Sequence, residues 1–140
     1  MTDIARAPTG AAAAMAPFHF CQLELSAVDP ALVPALHTAR QHYRLARVRG
    51  ELLGDGLFAD PAWNMLLDLF ISSAEGRRLS VSALCIGSRA PAATAHRYVQ
   101  LLAAAGLVER SADEKDGRRR FIALTDEGRD AMVRLLAAAG

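Results

Sequence analysis

The chain has 140 residues, a formal net charge of +1, and a hydrophobic content of 52% of which little is aromatic. That length holds one domain with a real core and excludes two ordinary ones, and a core of Ala, Leu and Val suits packed helices better than a large sandwich. The near-neutral charge excludes a globally basic nucleic-acid binder, so any such contact has to come from local patches.

Residues 1–17, with Ala11 to Ala14 between Gly10 and Pro17, read as a disordered tail and lack a leucine-rich signal core. Phe18, Phe20, Leu23 and Leu25 form an arm expected to dock on its own domain or on a partner subunit. Cys21 and Cys85 are far apart and show no CxxC or Cys/His ligand spacing, so neither a disulfide framework nor a zinc site is indicated. No apolar run approaches the ~18 residues of a membrane span, and the expectation is a cytoplasmic protein with no membrane partner.

Asp29 as N-cap and Pro30 as first residue open a helix running to about Leu53, unless Pro34 delays its start by a turn. Leu32, Leu36, Ala39, Tyr43 and Ala46 follow a 4-3-4-3 spacing that puts them on one face. Arg40, Arg44 and Arg47 share another, read first as solvated and second as an anion contact. His37 and His42 fall on different sides of this helix and make no metal site. "LGDGLFADP", residues 53–61, breaks the chain. Asp60 and Pro61 then open a helix to about Ala74, expected to bury Met65 or Leu66, Leu69, Phe70 and Ser73, and stopped by Glu75 and Gly76.

Ser80 caps a short helix with Val81, Leu84 and Cys85 inward, ended by Gly87. Pro91 starts the next, residues 91–105, whose Ala95, Val99 and Leu102 share an inward face. Its exposed start displays Ala92, Ala93, His96, Arg97 and Gln100, small or hydrogen-bonding side chains of the kind a helix-turn-helix presents to DNA. Strands over 107–110 and 119–124 flank "SADEKDG", with Asp116 and Gly117 at the tip of a hairpin. A hairpin directly behind such a helix is a wing. An Arg entering a narrow minor groove loses rotamer entropy unless something fixes it, and Asp116 is placed to fix Arg118, with Lys115 and Arg119 beside it. The fold class is mainly α with a small β-hairpin wing, a winged helix-turn-helix.

"TAHRYVQLLAAAGLVER" followed by "DEKDGRRRFIALTDEG" resembles the winged-helix core of the MarR group of bacterial transcriptional regulators, over about residues 60–130. Asp116, Arg118, Leu124, Thr125 and Gly128 match that group's wing and the start of the following helix. The resemblance implies a homodimer on an inverted repeat of double-stranded DNA. It puts Ala92, Ala93, Thr94, His96 and Arg97 against bases and phosphates of the major groove and Arg118 toward the minor groove. Arg97 is suited to read a guanine edge, and His96 or Gln100 to bond a base or phosphate.

In that group the dimer interface is usually built from both terminal helices. Here only one short helix, carrying Met132, Leu135, Leu136 and Ala139, follows Thr125, so dimerisation is expected to rest on residues 30–53 and the arm. The chain then divides into the tail, an arm and dimerisation helix over 18–58, and a winged-helix DNA-binding domain over 59–140. By type and place, Tyr43, Trp63 and Phe70 are candidates to border the cavity that takes aromatic acids in relatives, with Arg40 or Arg44 as carboxylate partner. No P-loop, GxSxG elbow or catalytic carboxylate pair occurs, so neither an enzyme nor a cofactor is expected. The alternative is a winged-helix protein-interaction module that never reads DNA.

Overall fold

In the computed structural model, which describes residues 29–139, the Asp29 carboxylate accepts a hydrogen bond from the Ala31 N–H at 3.0 Å. The 3-10 turn Pro30–Leu32 leads from this cap into α1, Val33–Leu53. The tail, the Phe18 to Leu25 arm and Cys21 lie outside the described residues. Leu36 and Ala39 are buried, and Leu32 and Tyr43 pack against the core beside them, as the spacing requires.

Asp60 caps α2, Pro61–Ala74, by accepting from the Trp63 N–H at 3.3 Å. This helix is the hub, packed against α1 and, further along the chain, against every later helix and the last strand. It therefore buries several faces at once: Met65, Leu67, Leu69, Phe70, Ile71 and Ser72 are all inside. The expectation of one inward stripe ending at Ser73 fails for that reason, since Ser73 is only half-buried and Ser72 points in.

Next come β1, Leu79–Ser80; α3, Val81–Gly87; α4, Ala92–Ala104; β2, Val108–Ala112; β3, Arg120–Leu124; and α5, Asp126–Ala139. The three strands form an antiparallel sheet in the order β1-β3-β2, with Leu79 opposite Ile122 and Val108 opposite Leu124. The wing strands start one residue later than 107 and 119, and β1 is too short to carry a readable period. Leu36, Phe70, Leu84, Val99, Ile122 and Leu136 belong to one core cluster spanning helices and sheet. Each fully buried Leu in it contributes about 2 kcal/mol. On α5 only Gly128, Met132 and Leu136 are buried, leaving Leu135 and Ala139 exposed.

The base of the hairpin is locked to α5. The Thr125 hydroxyl donates to the Gly106 carbonyl at 2.6 Å and accepts from the Gly128 N–H at 3.0 Å, capping α5. Gly128 lies so close to Leu107 that a Cβ would stand 2.1 Å from the Leu107 carbonyl oxygen. The run Leu-Thr followed by an early Gly is thus a packing requirement. Among the described residues no helix is long and apolar enough to cross a membrane.

Candidate nucleic-acid interface

Burial of Ala95, Val99 and Leu102 fixes the rotation of α4 and turns Ala92, Ala93, His96, Arg97 and Gln100 outward, while Thr94 is half-buried. Pro91 supplies no side-chain cap, so the first N–H groups of α4 keep their hydrogen-bonding capacity for an incoming oxygen. The Arg97 guanidinium lies 5.7 Å from the Tyr98 ring centroid. His96 Nδ1 is 3.9 Å from Sγ of Cys85, a buried thiol whose pKa burial pushes up.

The turn between α3 and α4 is tied inward. The Ser88 hydroxyl donates to the Cys85 carbonyl at 2.6 Å, and Asn64 Nδ2 donates from α2 to the Ser88 carbonyl at 3.2 Å. Arg89 donates through Nε and Nη2 to the two carboxylate oxygens of Asp55, at 3.0 and 3.1 Å. Asp55, Asn64, Ser88 and Arg89 were not among the candidates of the sequence. Gly50, inside a helical pattern, was the one sign that something approaches α1 closely.

At the wing tip, Asp113 accepts from the Lys115 N–H at 2.9 Å and Asp116 from the Arg118 N–H at 3.1 Å. Asp116 thus fixes the backbone of Arg118 and not its guanidinium, whose Nε is 3.8 Å away, beyond hydrogen-bond range. The Arg118 side chain is 97% exposed. Arg119 is drawn back, with Nε 3.8 Å from Asp113 and its guanidinium 5.7 Å from the Phe121 ring. Arg78 covers the same ring at 3.8 Å.

Two of the five candidate effector residues, Arg40 and Phe70, are engaged within the fold. Arg40 is bonded to Glu75, which also takes Arg77 at 2.6 Å. Burial pushes the Glu75 carboxyl up, but the Arg40 and Arg77 hydrogen bonds outweigh it and hold the pKa below the usual glutamate range. Arg44 is exposed, Phe70 is a core residue, and Trp63 meets His42 edge-on with ring centroids 6.0 Å apart. Burial, with help from Asp68, pushes the Tyr43 hydroxyl up. A cleft of about 220 Å³ between the end of α2 and the sheet is lined instead by Leu69, Ser72, Arg78, Leu79 and Phe121 among others, and by none of the five. Among the described residues no cluster of His, Cys, Asp and Glu is fit to hold a metal.

A family model described as the MarR family matches residues 69–119, from the second half of α2 to the wing tip. A solved MarR family transcriptional regulator from Silicibacter pomeroyi is similar at 25% identity, with 71% of this chain and 64% of that chain covered and a TM-score of 0.50. The chain is a MarR-like winged-helix regulator. Staphylococcus aureus MepR, solved in its DNA-binding conformation, shares the fold at 16% identity over 70% of each chain with a TM-score of 0.52. A probable transcriptional regulator from Pseudomonas aeruginosa is 31% identical, over 73% of this chain and 76% of that one, with a TM-score of 0.44. No curated protein matches the sequence. The matched MarR-like segment holds both α4 and the tip that carries Lys115, Asp116, Arg118 and Arg119.

Proposed function

We propose that the protein is a sequence-specific, cytoplasmic DNA-binding transcriptional regulator that acts as a homodimer on an inverted repeat. Helix α4 enters the major groove, with Arg97 reading a base edge, His96 or Gln100 bonding a base or phosphate, and the α4 N-terminus meeting a phosphate. Arg118 enters the flanking minor groove, with Lys115 and Arg119 beside it on the wing. The observation that carries this reading is the pairing of an outward polar row on an uncapped helix with an arginine that has no buried contact of its own.

Residues 59–140 serve as the DNA-binding unit and 18–58 as the dimerisation element. In support, α1 leaves Leu45, Val48 and Leu52 exposed at a 3-4 spacing, Leu52 to 77%. A small aromatic acid held near Tyr43, Trp63 and Arg44 is a further part of the reading. Its check is the melting temperature and DNA affinity with and without a panel of such acids, no change in either counting against it.

The deciding experiment selects sheared genomic DNA of the source organism on the purified chain, with Arg118→Ala beside it. A short inverted repeat that the variant loses supports the regulator. No enrichment turns the reading toward a protein-interaction module. Binding to phosphates also predicts a salt slope of about −0.9 in log K per neutralised charge.

A further inference from the structure

The turn Ser88, Arg89, Ala90 decides where the recognition helix begins. Arg89 has φ of +63°, and among the described residues it is the sole non-glycine with a positive φ. A side chain there is disfavoured by the approach of Cβ to the following carbonyl, and glycine would adopt the same conformation freely. An arginine at this position needs a compensating contact, which the Asp55 fork supplies through two charge-assisted hydrogen bonds.

Asp55 belongs to the turn after α1, and its carboxylate lies against the last turn of that helix. A Cβ on Gly50 would lie 1.9 Å from Asp55 Oδ1 and 3.2 Å from Arg89 Nη2. A glycine inside a helix is locally unfavourable, yet here it lets the carboxylate lie against the α1 backbone. A disfavoured backbone at one member of the ion pair, and a helix glycine making room beneath it, is the pattern expected when the pair itself has a task.

We infer that Arg89 and Asp55 are a positioning pair joining the end of α1 to the start of the recognition helix α4. The seating of α1, which carries the exposed Leu45, Val48 and Leu52 row, then sets how α4 is presented. The part of this that concerns DNA rests on the proposed function; the joining of the two helices does not. Asn64 and Ser88 grip the other side of the turn, so loss of the pair loosens the start of α4 without unfolding the domain.

The test uses the full chain carrying Asp55→Asn, Arg89→Gly, Arg89→Lys or the Asp55→Asn/Arg89→Gly double change. Hydrogen exchange of the free protein is measured first, and affinity for the selected DNA fragment second. The expected result is exchange about tenfold faster at residues 89–95, with the amides of α2 unchanged. Affinity falls about tenfold in Asp55→Asn and Arg89→Gly alike, no further in the double variant, and at an unchanged salt slope. Arg89→Lys keeps the charge but loses the fork and behaves as Arg89→Gly.

A phosphate-binding Arg89 gives a different pattern and overturns the pair: Asp55→Asn binds as well or better, Arg89→Lys binds as wild type, and Arg89→Gly lowers the salt slope by about 0.9. Unchanged exchange at residues 89–95 overturns it without any DNA. Faster exchange in a protein that selects no DNA leaves the pair standing and removes the regulator reading alone.

Discussion

The turn before α4 and the tip of the wing are both short, polar and built around an arginine, yet they are held in opposite ways. At the turn, the contacts reach across the fold: Asn64 comes from α2, Asp55 from the end of α1, and Ser88 itself is buried. At the tip, Asp113 and Asp116 each bond a residue only two positions ahead, and Arg118 stands in solvent. The placement of the major-groove candidates is therefore a property of the core, whereas the tip keeps its shape locally and is free to adapt to a duplex. The hairpin is divided accordingly, rigid at its base on Gly128 and local at its end.

Gly128→Ala attacks that division hardest. The added Cβ meets the Leu107 carbonyl, a backbone atom that cannot step aside, and should destabilise the fold by about 3 kcal/mol in denaturant unfolding. A loss below about 1 kcal/mol would show the hairpin base to be as loose as its tip. Next in size is Glu75→Gln, which weakens the clamp on Arg40 of α1 and Arg77 before β1 and should cost about 2 kcal/mol at neutral pH. Because the folded pKa is depressed, this contribution is present above the ordinary glutamate range and is lost as pH falls through the folded value. The wild-type and variant stability curves should converge in acid, and a constant gap would contradict the clamp.

The same division marks what the sequence makes legible. Local signals carried the helix starts at Asp29, Asp60 and Ser80, the inward triplet Ala95, Val99 and Leu102, and the hairpin itself. Each depends on a cap, a period or a turn within one element. The pairing of Arg89 with Asp55 and of Arg40 with Glu75 joins residues from different elements, and no spacing announces it. That is also why Arg40 reads in sequence as an available cation. Ser73 was misplaced for a related reason, since an all-round buried helix has no single apolar stripe from which to read a face.

Arg118→Ala sharpens the comparison from the other side. It should leave the melting temperature unchanged, because the side chain is almost fully exposed, and lower DNA affinity about tenfold on every sequence. Arg97 variants should instead weaken some sequences more than others, and uniform losses would deny Arg97 a base-reading role. An altered melting point for Arg118→Ala would mean the tip is tied to the core after all.

The smallest effect belongs to Asp68, on the inward side of the comparison. A Cβ on Gly87, the last residue of α3, would stand 2.7 Å from Asp68 Oδ2, so this carboxylate lies against the backbone that leads into the turn. Burial raises its pKa first, Arg77 pulls it back, and Glu75 raises it again. A carboxyl whose folded pKa is raised favours folding while protonated and opposes it once ionised, so its cost appears as pH climbs from the ordinary value of 3.8 through the folded one. Asp68→Asn should then stabilise the protein by about 0.5 kcal/mol at neutral pH, and the gain should vanish in acid. A variant less stable than wild type at neutral pH would mean that the attraction to Arg77 outweighs desolvation. The turn before α4 would then rest on a favourable charge contact where the present geometry has a tolerated cost.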